Sequence, residues 1–142
     1  MSNEQKKFQV WWDKKEKVVR TKVIGFQTDI ESAKNFAEEI VKLAENLKSE
    51  GIKYIDSLND VAAAGISINP AVRKIYVDVL KKDDFSKSRA AMFGMRSPYY
   101  RTILNILLTL SGVGSVKFFK NEEKALEWIK EERRKRDAKI KN

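Results

Sequence analysis

The 142-residue chain contains two prolines, and each marks the predicted start of a helix. The positions of these two helix starts restrict the fold more than any other feature of the sequence. The pairs Asn69-Pro70 and Ser97-Pro98 each join a favoured N-cap residue to a residue suited to the first helical turn. A strand-like segment precedes each pair, at 52–61 and at 89–94. A strand followed by a helix, repeated along the chain, is typical of an α/β layered fold.

The remaining patterns complete the predicted order of elements. Alternating apolar residues predict a hairpin with strands on either side of the polar DKKEK segment at 13–17. Apolar residues at helical spacing from Ala33 to Leu47 predict an amphipathic helix that Gly51 terminates. A last strand follows the Ser97-Pro98 helix, and a final helix begins near Asn121. The order β-β-α-β-α-β-α-β-α predicts a mixed α/β sheet covered by helices, with right-handed crossovers.

The composition bounds the chemistry. With 42% hydrophobic residues the chain can bury a core, and we expect a single domain spanning 1–142. It contains no Cys and no His, which excludes disulfides, thiolate nucleophiles, imidazole bases and the usual zinc sites. Adjacent carboxylates such as Glu38 and Glu39 diverge on a helix and do not form an acid/base pair. We therefore expect no enzymatic activity, no cofactor and no metal.

The net charge of +9 comes mainly from the two ends of the chain. Residues 1–22 and residues 130–142 each contain seven Lys/Arg and three Asp/Glu. A nucleic-acid surface needs its cations on one structured face, which this distribution does not suggest. We interpret 130–142 as a charged helix extension or solvated tail. Nucleic acid is not the partner we expect, and an accessory role through the basic termini is a third alternative.

The N-terminal sequence MSNEQKKFQV lacks the apolar core of a signal peptide. The longest apolar stretch, Ile103 to Leu110, is too short to cross a bilayer. These features predict a cytoplasmic protein that does not insert into a membrane.

Polar and basic residues are predicted to line a rim where strands end and helices begin. In open α/β sheets, ligands bind at the carboxyl ends of strands, and helix N-termini attract anions. Arg side chains add bidentate donors for phosphate or carboxylate, so the rim is a candidate site for a small anion or an acidic partner. Ordinary helix capping with solvated arginines is the alternative. The candidate residues are Asp56, Ser57, Ser67, Asn69, Arg96, Ser97 and Arg101.

An apolar interface is the second candidate site. Trp11 and Trp12 are neighbours on a predicted strand and must face opposite sides of the sheet. Leu104 and Leu108 make a second side of the third predicted helix apolar. Trp11, Leu104 and Leu108 are therefore candidates for a homodimer or partner interface, and coverage of the Trp by a helix or by the tail is the alternative.

Four segments together resemble a known family. They are VWWDKKEKVVRTKVIGF at 10–26, LKSEGIKYIDS at 47–57, FGMRSPYYRTILNILLTLSG at 93–112 and VKFFKNEEKALEWIKEE at 116–132. In this order they resemble STAS domains, which have the SpoIIAA-like fold of anti-sigma-factor antagonists. Within that group they are most similar to small STAS/SEC14-like proteins.

The resemblance implies a function in binding. STAS domains are switches that dock onto protein partners, and in some members a Ser or Thr at the start of the helix after the third strand is phosphorylated. The corresponding segment here is 62–74, where Ser67 is nearest to that place, although the Asp-x-Ser-Gly-Leu-Gly pattern of those members is absent. We expect a regulatory module that docks a protein or an acidic ligand at the rim. SEC14-like binding of a lipid or hydrophobic small molecule is the alternative.

Overall fold

The computed structural model describes residues 8–23, 30–62, 71, 74, 75, 78, 88–95, 97–110 and 115–141. Five strands form one mixed sheet in the order β1-β2-β3-β4-β5. β1 and β2 are antiparallel, and the pairs from β2 to β5 are parallel. The strands are β1 (Phe8–Asp13), β2 (Val18–Val23), β3 (Ser57–Asp60), β4 (Ala90–Phe93) and β5 (Val116–Phe119).

Three helices with described bounds accompany the sheet: α1 (Ile30–Ser49), α2 (Pro98–Leu110) and α3 (Glu122–Lys141). Between β3 and β4, the described residues Ala71, Lys74, Ile75 and Asp78 are also helical. The predicted fold class, a mixed α/β sheet covered by helices, is confirmed.

The core lies on both faces of the sheet. On one face, Val19 packs with Ala44 and Leu47 of α1. On the other, Val18 and Leu58 pack with Ile129 of α3. The neighbours Val18 and Val19 are both buried because successive side chains of a strand point to opposite faces. α2 packs against β5 at the far end of the sheet.

Local sequence signals account for the C-terminal end of α1 and the start of α3. Gly51 has a φ of 94°, which favours glycine. Its N–H donates to the Lys48 carbonyl at 3.0 Å, and the N–H of Ile52 donates to the Leu47 carbonyl at 3.0 Å. These two bonds form a Schellman motif, the helix end that glycine permits. At α3, the Asn121 side-chain Oδ1 accepts from the Lys124 N–H at 2.9 Å and caps the first turn.

The third strand is shorter than the sequence pattern predicts. The pattern indicated a strand over 52–61, and β3 spans Ser57–Asp60. Residues 52–56 instead connect α1 to the sheet, and the Ile55 N–H donates to the Ser88 side-chain Oγ at 2.8 Å. Apolar residues are buried in this connecting segment as they are in a strand. The apolar pattern alone therefore does not distinguish a connecting segment from a strand.

Candidate functional site

The predicted rim residues lie at two opposite edges of the sheet. We call the edge where the parallel strands begin the amino edge and the edge where they end the carboxyl edge. Because β3 begins at Ser57, Asp56 and Ser57 lie at the amino edge. Ser97 and Arg101 follow the end of β4 and lie at the carboxyl edge. This corrects the placement of all these residues on one rim, because Asp56 and Ser57 were expected where a strand ends and instead lie where β3 begins.

Three other rim candidates, Ser67, Asn69 and Arg96, lie outside the described residues. The prediction of Ser67 as a phosphate acceptor therefore stays a prediction.

At the amino edge, Asp56 is the centre of a buried ionic cluster. Its side chain is 1% exposed. Oδ2 accepts from Arg133 Nε at 2.8 Å and from Arg136 Nη2 at 2.9 Å. Oδ1 accepts from Arg136 Nη1 at 3.0 Å and from the Arg89 backbone N–H at 2.9 Å. The carboxylate thus receives four hydrogen bonds, two of them from the bidentate fork of Arg136.

The two arginines also connect other parts of the chain. Arg133 donates from Nη1 to the Glu16 carbonyl at 2.9 Å and from Nη2 to the Lys17 carbonyl at 2.6 Å. The guanidinium of Arg136 lies over the Tyr54 ring, 4.0 Å from its centroid. The cluster therefore joins α3 to the β1–β2 turn and to the start of β3. We refer to Asp56, Arg133 and Arg136, with the Arg89 backbone N–H, as the Asp56 cluster.

The electrostatics of the Asp56 cluster favour an ionised carboxylate. Burial alone raises the pKa of Asp56. Hydrogen bonds from the Arg136 and Arg133 guanidiniums and from the Arg89 backbone N–H lower this pKa by more, so the net shift is downward. A carboxyl with a lowered pKa and four donors is a poor general acid or base at neutral pH. The arrangement is suited to holding α3 in place.

At the carboxyl edge, the described polar groups hold the chain reversals after β3 and β4. Arg101 donates from Nη1 to the Met95 carbonyl at 2.8 Å. The Asp60 Oδ1 accepts from the Ala62 N–H at 3.0 Å. Gly94 has a φ of 96°, and an added Cβ would lie 3.0 Å from the Ala62 Cβ. The two reversals are therefore packed closely against each other.

The helix that begins at this edge carries an exposed apolar stripe. Tyr99 is 70% exposed, and Ile106 is also an exposed large hydrophobic residue. With the exposed Thr102 they occupy positions i, i+3 and i+7 of α2, which share one side of a helix. We call Tyr99, Thr102 and Ile106 the α2 stripe. Leu104 and Leu108 lie in the same helix, but their side chains are outside the described part of the structure.

Comparison with solved structures decides the fold. No protein-family model and no curated protein matches the sequence. One similar structure is an uncharacterised protein of the DUF3478 family with a SpoIIAA-like fold, from Shewanella loihica PV-4. The two share 22% identity with a TM-score of 0.59, over 91% of this chain and 98% of that chain. This chain has a SpoIIAA-like fold. The STAS/SpoIIAA-like architecture expected from the four segments is confirmed.

Within the SpoIIAA-like fold, the two tryptophans of β1 have different surroundings. Trp12 packs against the core on the α1 face. Trp11 is exposed on the opposite face, where its register partner in β2 is Arg20. The Arg20 guanidinium forms ion pairs with Asp13 and with Glu122 at the start of α3. The predicted use of Trp11 in a homodimer stays a prediction.

Sequence reasoning does not identify Arg133 and Arg136, because 130–142 shows charge without apolar spacing. A weaker signal is present in the same helix. Ala125 and Ile129 are buried, and the two arginines continue their face of α3 at four- and three-residue spacing. Two cations that continue a buried stripe predict a buried anion that pairs with them. This spacing could therefore have indicated a buried carboxylate such as Asp56.

The described residues show neither a cluster of metal-binding side chains nor a helix suited to crossing a membrane. Among those residues, no group of three or more Asp or Glu side chains is placed to hold a metal ion. None of the described helices combines the length and apolar character needed to cross a membrane.

Proposed function

We propose that this protein is a non-catalytic binding module that docks a protein partner through the α2 stripe and the adjoining carboxyl edge. The observation that carries the proposal is the exposure of Tyr99 and Ile106 on one side of α2. Tyr is enriched at binding hot spots, whereas the exposed side of a helix that only covers a sheet carries polar residues. Arg101, one turn into the same helix, donates to the Met95 carbonyl and belongs to the adjoining carboxyl edge.

The chemistry of the chain supports binding over catalysis. The sequence has no Cys and no His. Asp56, the one Asp or Glu that is buried among the described residues, is occupied by arginine donors. The SpoIIAA-like fold and the resemblance to STAS domains, which work by docking onto proteins, favour the same interpretation.

Site-specific photo-cross-linking in the cell that naturally expresses the protein tests this proposal. Benzoylphenylalanine replaces Tyr99 in one variant and Ile106 in a second, and the exposed Glu38 of α1 in a matched control. We expect a discrete cross-linked protein adduct from positions 99 and 106 that is absent from position 38. The same adduct from all three positions, or none from positions 99 and 106, would contradict the proposal.

A second measurement connects the adduct to the stripe. The double variant Tyr99→Ser/Ile106→Ser should abolish co-purification of the cross-linked protein while leaving the circular dichroism spectrum unchanged, because both side chains are exposed. Retention of the partner by this variant would exclude the α2 stripe as the docking surface.

A further inference from the structure

The two basic segments of the sequence meet at the amino edge of the sheet. Arg133 of α3 donates to the Glu16 and Lys17 carbonyls of the β1–β2 turn at 2.9 and 2.6 Å. Lys130 Nζ lies 3.8 Å from Glu16 Oε2. The β1–β2 turn and α3 are therefore in contact at this edge. The distribution of charge along the sequence does not favour a nucleic-acid partner, because it places the cations in two separate segments. In the structure, cations from both segments lie at one edge, so this objection no longer holds.

Most of the exposed charges at this edge are positive. The side chains of Lys130, Arg134 and Lys135 are 59%, 76% and 64% exposed. The carboxylates of Glu16 and Glu132 lie deeper, with side chains 22% and 19% exposed, whereas Glu131, which pairs with Arg134, is 43% exposed and Asp137 is also exposed. The exposed cations of the turn and of this part of α3 therefore outnumber the exposed carboxylates. We call the exposed cations of the turn and of residues 130–135 of α3 the basic edge: Lys14, Lys15, Lys17, Lys130, Arg134 and Lys135.

The backbone beneath the basic edge is held in place. The Asp56 cluster fixes α3 against the turn through Arg133 and fixes α3 against the start of β3 through Arg136. The backbone segments that carry the cations of the helix and of the turn therefore keep their relative positions before a ligand arrives. Such preorganisation reduces the ordering cost of binding.

We propose that the basic edge binds the phosphate backbone of a nucleic acid. Cations that neutralise phosphates and release counterions suffice for this kind of binding. A stable protein interface needs in addition an exposed aromatic or apolar anchor at its centre. The exposed large hydrophobic residues of the described ranges are Trp11, Ile30, Tyr99 and Ile106, and none of them belongs to the turn or to α3. The chemistry of the basic edge thus fits a polyphosphate better than an acidic protein.

Fluorescence anisotropy with the full chain tests the proposal. The probes are fluorescein-labelled DNA of about 20 nucleotides, single-stranded and duplex, titrated between about 50 and about 300 mM KCl. We expect saturable binding that weakens linearly on a log–log plot against salt, with a duplex slope no steeper than about −5, because six cations contribute at most about 0.9 each.

A pair of matched charge variants locates the surface. K130Q/R134Q/K135Q removes three cations of the basic edge, and K34Q/K42Q/K48Q removes three exposed cations of α1. The first variant should weaken binding at least about tenfold and make the slope shallower by about 2 to 3, whereas the control should change affinity by less than about threefold. Thermal unfolding of both variants checks that neither result reflects a loss of folding.

Three outcomes would overturn the proposal. One is the absence of saturable DNA binding at the lowest salt. Another is equal weakening of DNA binding by the two variants, which would mean that binding depends only on the net charge of the protein. The third is binding of poly-L-glutamate at matched charge with the same affinity and the same sensitivity to K130Q/R134Q/K135Q, which would assign the basic edge to an acidic protein. The α2 stripe is not altered in these variants, so this result is independent of the cross-linking experiment.

Discussion

A buried carboxylate destabilises a fold unless cations and N–H donors surround it. Asp56 meets this condition through Arg133, Arg136 and the Arg89 backbone N–H. Removal of the carboxylate leaves two partly buried guanidiniums without their anion. The cost of such a broken pair is much larger than the net contribution of the intact pair.

We therefore expect Asp56→Ala to lower the free energy of unfolding by about 3–5 kcal/mol. The exposed Asp137 of the same helix region provides the control, and Asp137→Ala should change stability by no more than about 0.5 kcal/mol. Urea denaturation followed by circular dichroism measures both. Similar midpoints for the two variants would show that the Asp56 cluster does not hold α3.

The two glycines with positive φ allow backbone strain to be separated from crowding. Gly51 and Gly94 have φ values of 94° and 96°. A Cβ at Gly51 would meet nothing within 4 Å, whereas a Cβ at Gly94 would lie 3.0 Å from the Ala62 Cβ and 3.1 Å from the Ala62 backbone N. Both alanine variants carry the cost of positive φ, and only Gly94→Ala adds an overlap.

We expect Gly94→Ala to be less stable than Gly51→Ala by about 1–3 kcal/mol, the usual cost of overpacking. Thermal or urea unfolding of the pair gives this difference directly. Equal losses would mean that the reversal after β4 moves away from Ala62 at little cost.

Single residues differ in how far the sequence predicts their role. Gly51 is recognisable because the clear apolar stripe of α1 ends at Leu47, one turn before it, and glycine is favoured in the left-handed conformation found there. The role of Asp56 is not recognisable in this way, because its arginine partners are 77 and 80 residues away in the sequence. A long-range ion pair has no local spacing to detect.

Among the elements, β5 is an edge strand, and α2 covers part of that edge. The Asn105 Oδ1 accepts from the Phe118 N–H at 2.8 Å, and the Asn105 Nδ2 donates to the Phe118 carbonyl at 3.3 Å. One side-chain amide thus satisfies both backbone groups of Phe118, as a neighbouring strand would. Blocking an edge in this way limits pairing with other chains.

We expect Asn105→Leu to lower stability by about 1–3 kcal/mol, because it leaves the Phe118 backbone groups without partners. Hydrogen exchange at the Phe118 amide should accelerate more than exchange in β3, which is an interior strand. Thr102→Leu on the exposed side of α2 is the control and should leave exchange at Phe118 unchanged. Unchanged exchange in Asn105→Leu would argue that the amide does not protect the edge.

The bounds of the strands and helices show where the apolar periodicity of the sequence does not predict the structure. β1 and α1 follow their patterns because one face of each is more buried than the other. In the segment over 52–61, neighbouring residues are buried both before β3 (Ile55 and Asp56) and within it (Leu58 and Asn59), so the apolar content does not reveal that β3 begins only at Ser57. That difference moves Asp56 and Ser57 from the expected carboxyl edge to the amino edge.

For the molecule as a whole, the order of elements was predictable, whereas the contact between the β1–β2 turn and α3 was not. Caps and alternation specify which segments are strands or helices, and the rules for crossovers then restrict the topology. These sequence signals and rules do not predict how far α3 extends beyond the sheet. Only the structure shows that α3 reaches the β1–β2 turn and combines two basic segments into one surface.

The acid stability of the whole molecule should depend on Asp56. Hydrogen bonds from the arginines outweigh burial and hold the pKa of Asp56 below its usual value in the folded state. The unfolded chain therefore binds a proton at this site at a higher pH than the folded chain does. The stabilisation from Asp56 is fully present above the unfolded pKa of about 3.9 and is lost as the pH falls through the lower folded pKa.

Urea unfolding measured at intervals from about pH 6 to about pH 2 follows this dependence. We expect the parent to lose stability below about pH 4, and Asp56→Asn to be less stable at neutral pH but to lose less on acidification, because it has no proton to bind at this position. Asp137→Asn should keep the pH dependence of the parent. If Asp56→Asn lost as much stability on acidification as the parent, other carboxylates would control acid unfolding, among them Asp13, whose pKa a hydrogen bond from Arg20 also lowers.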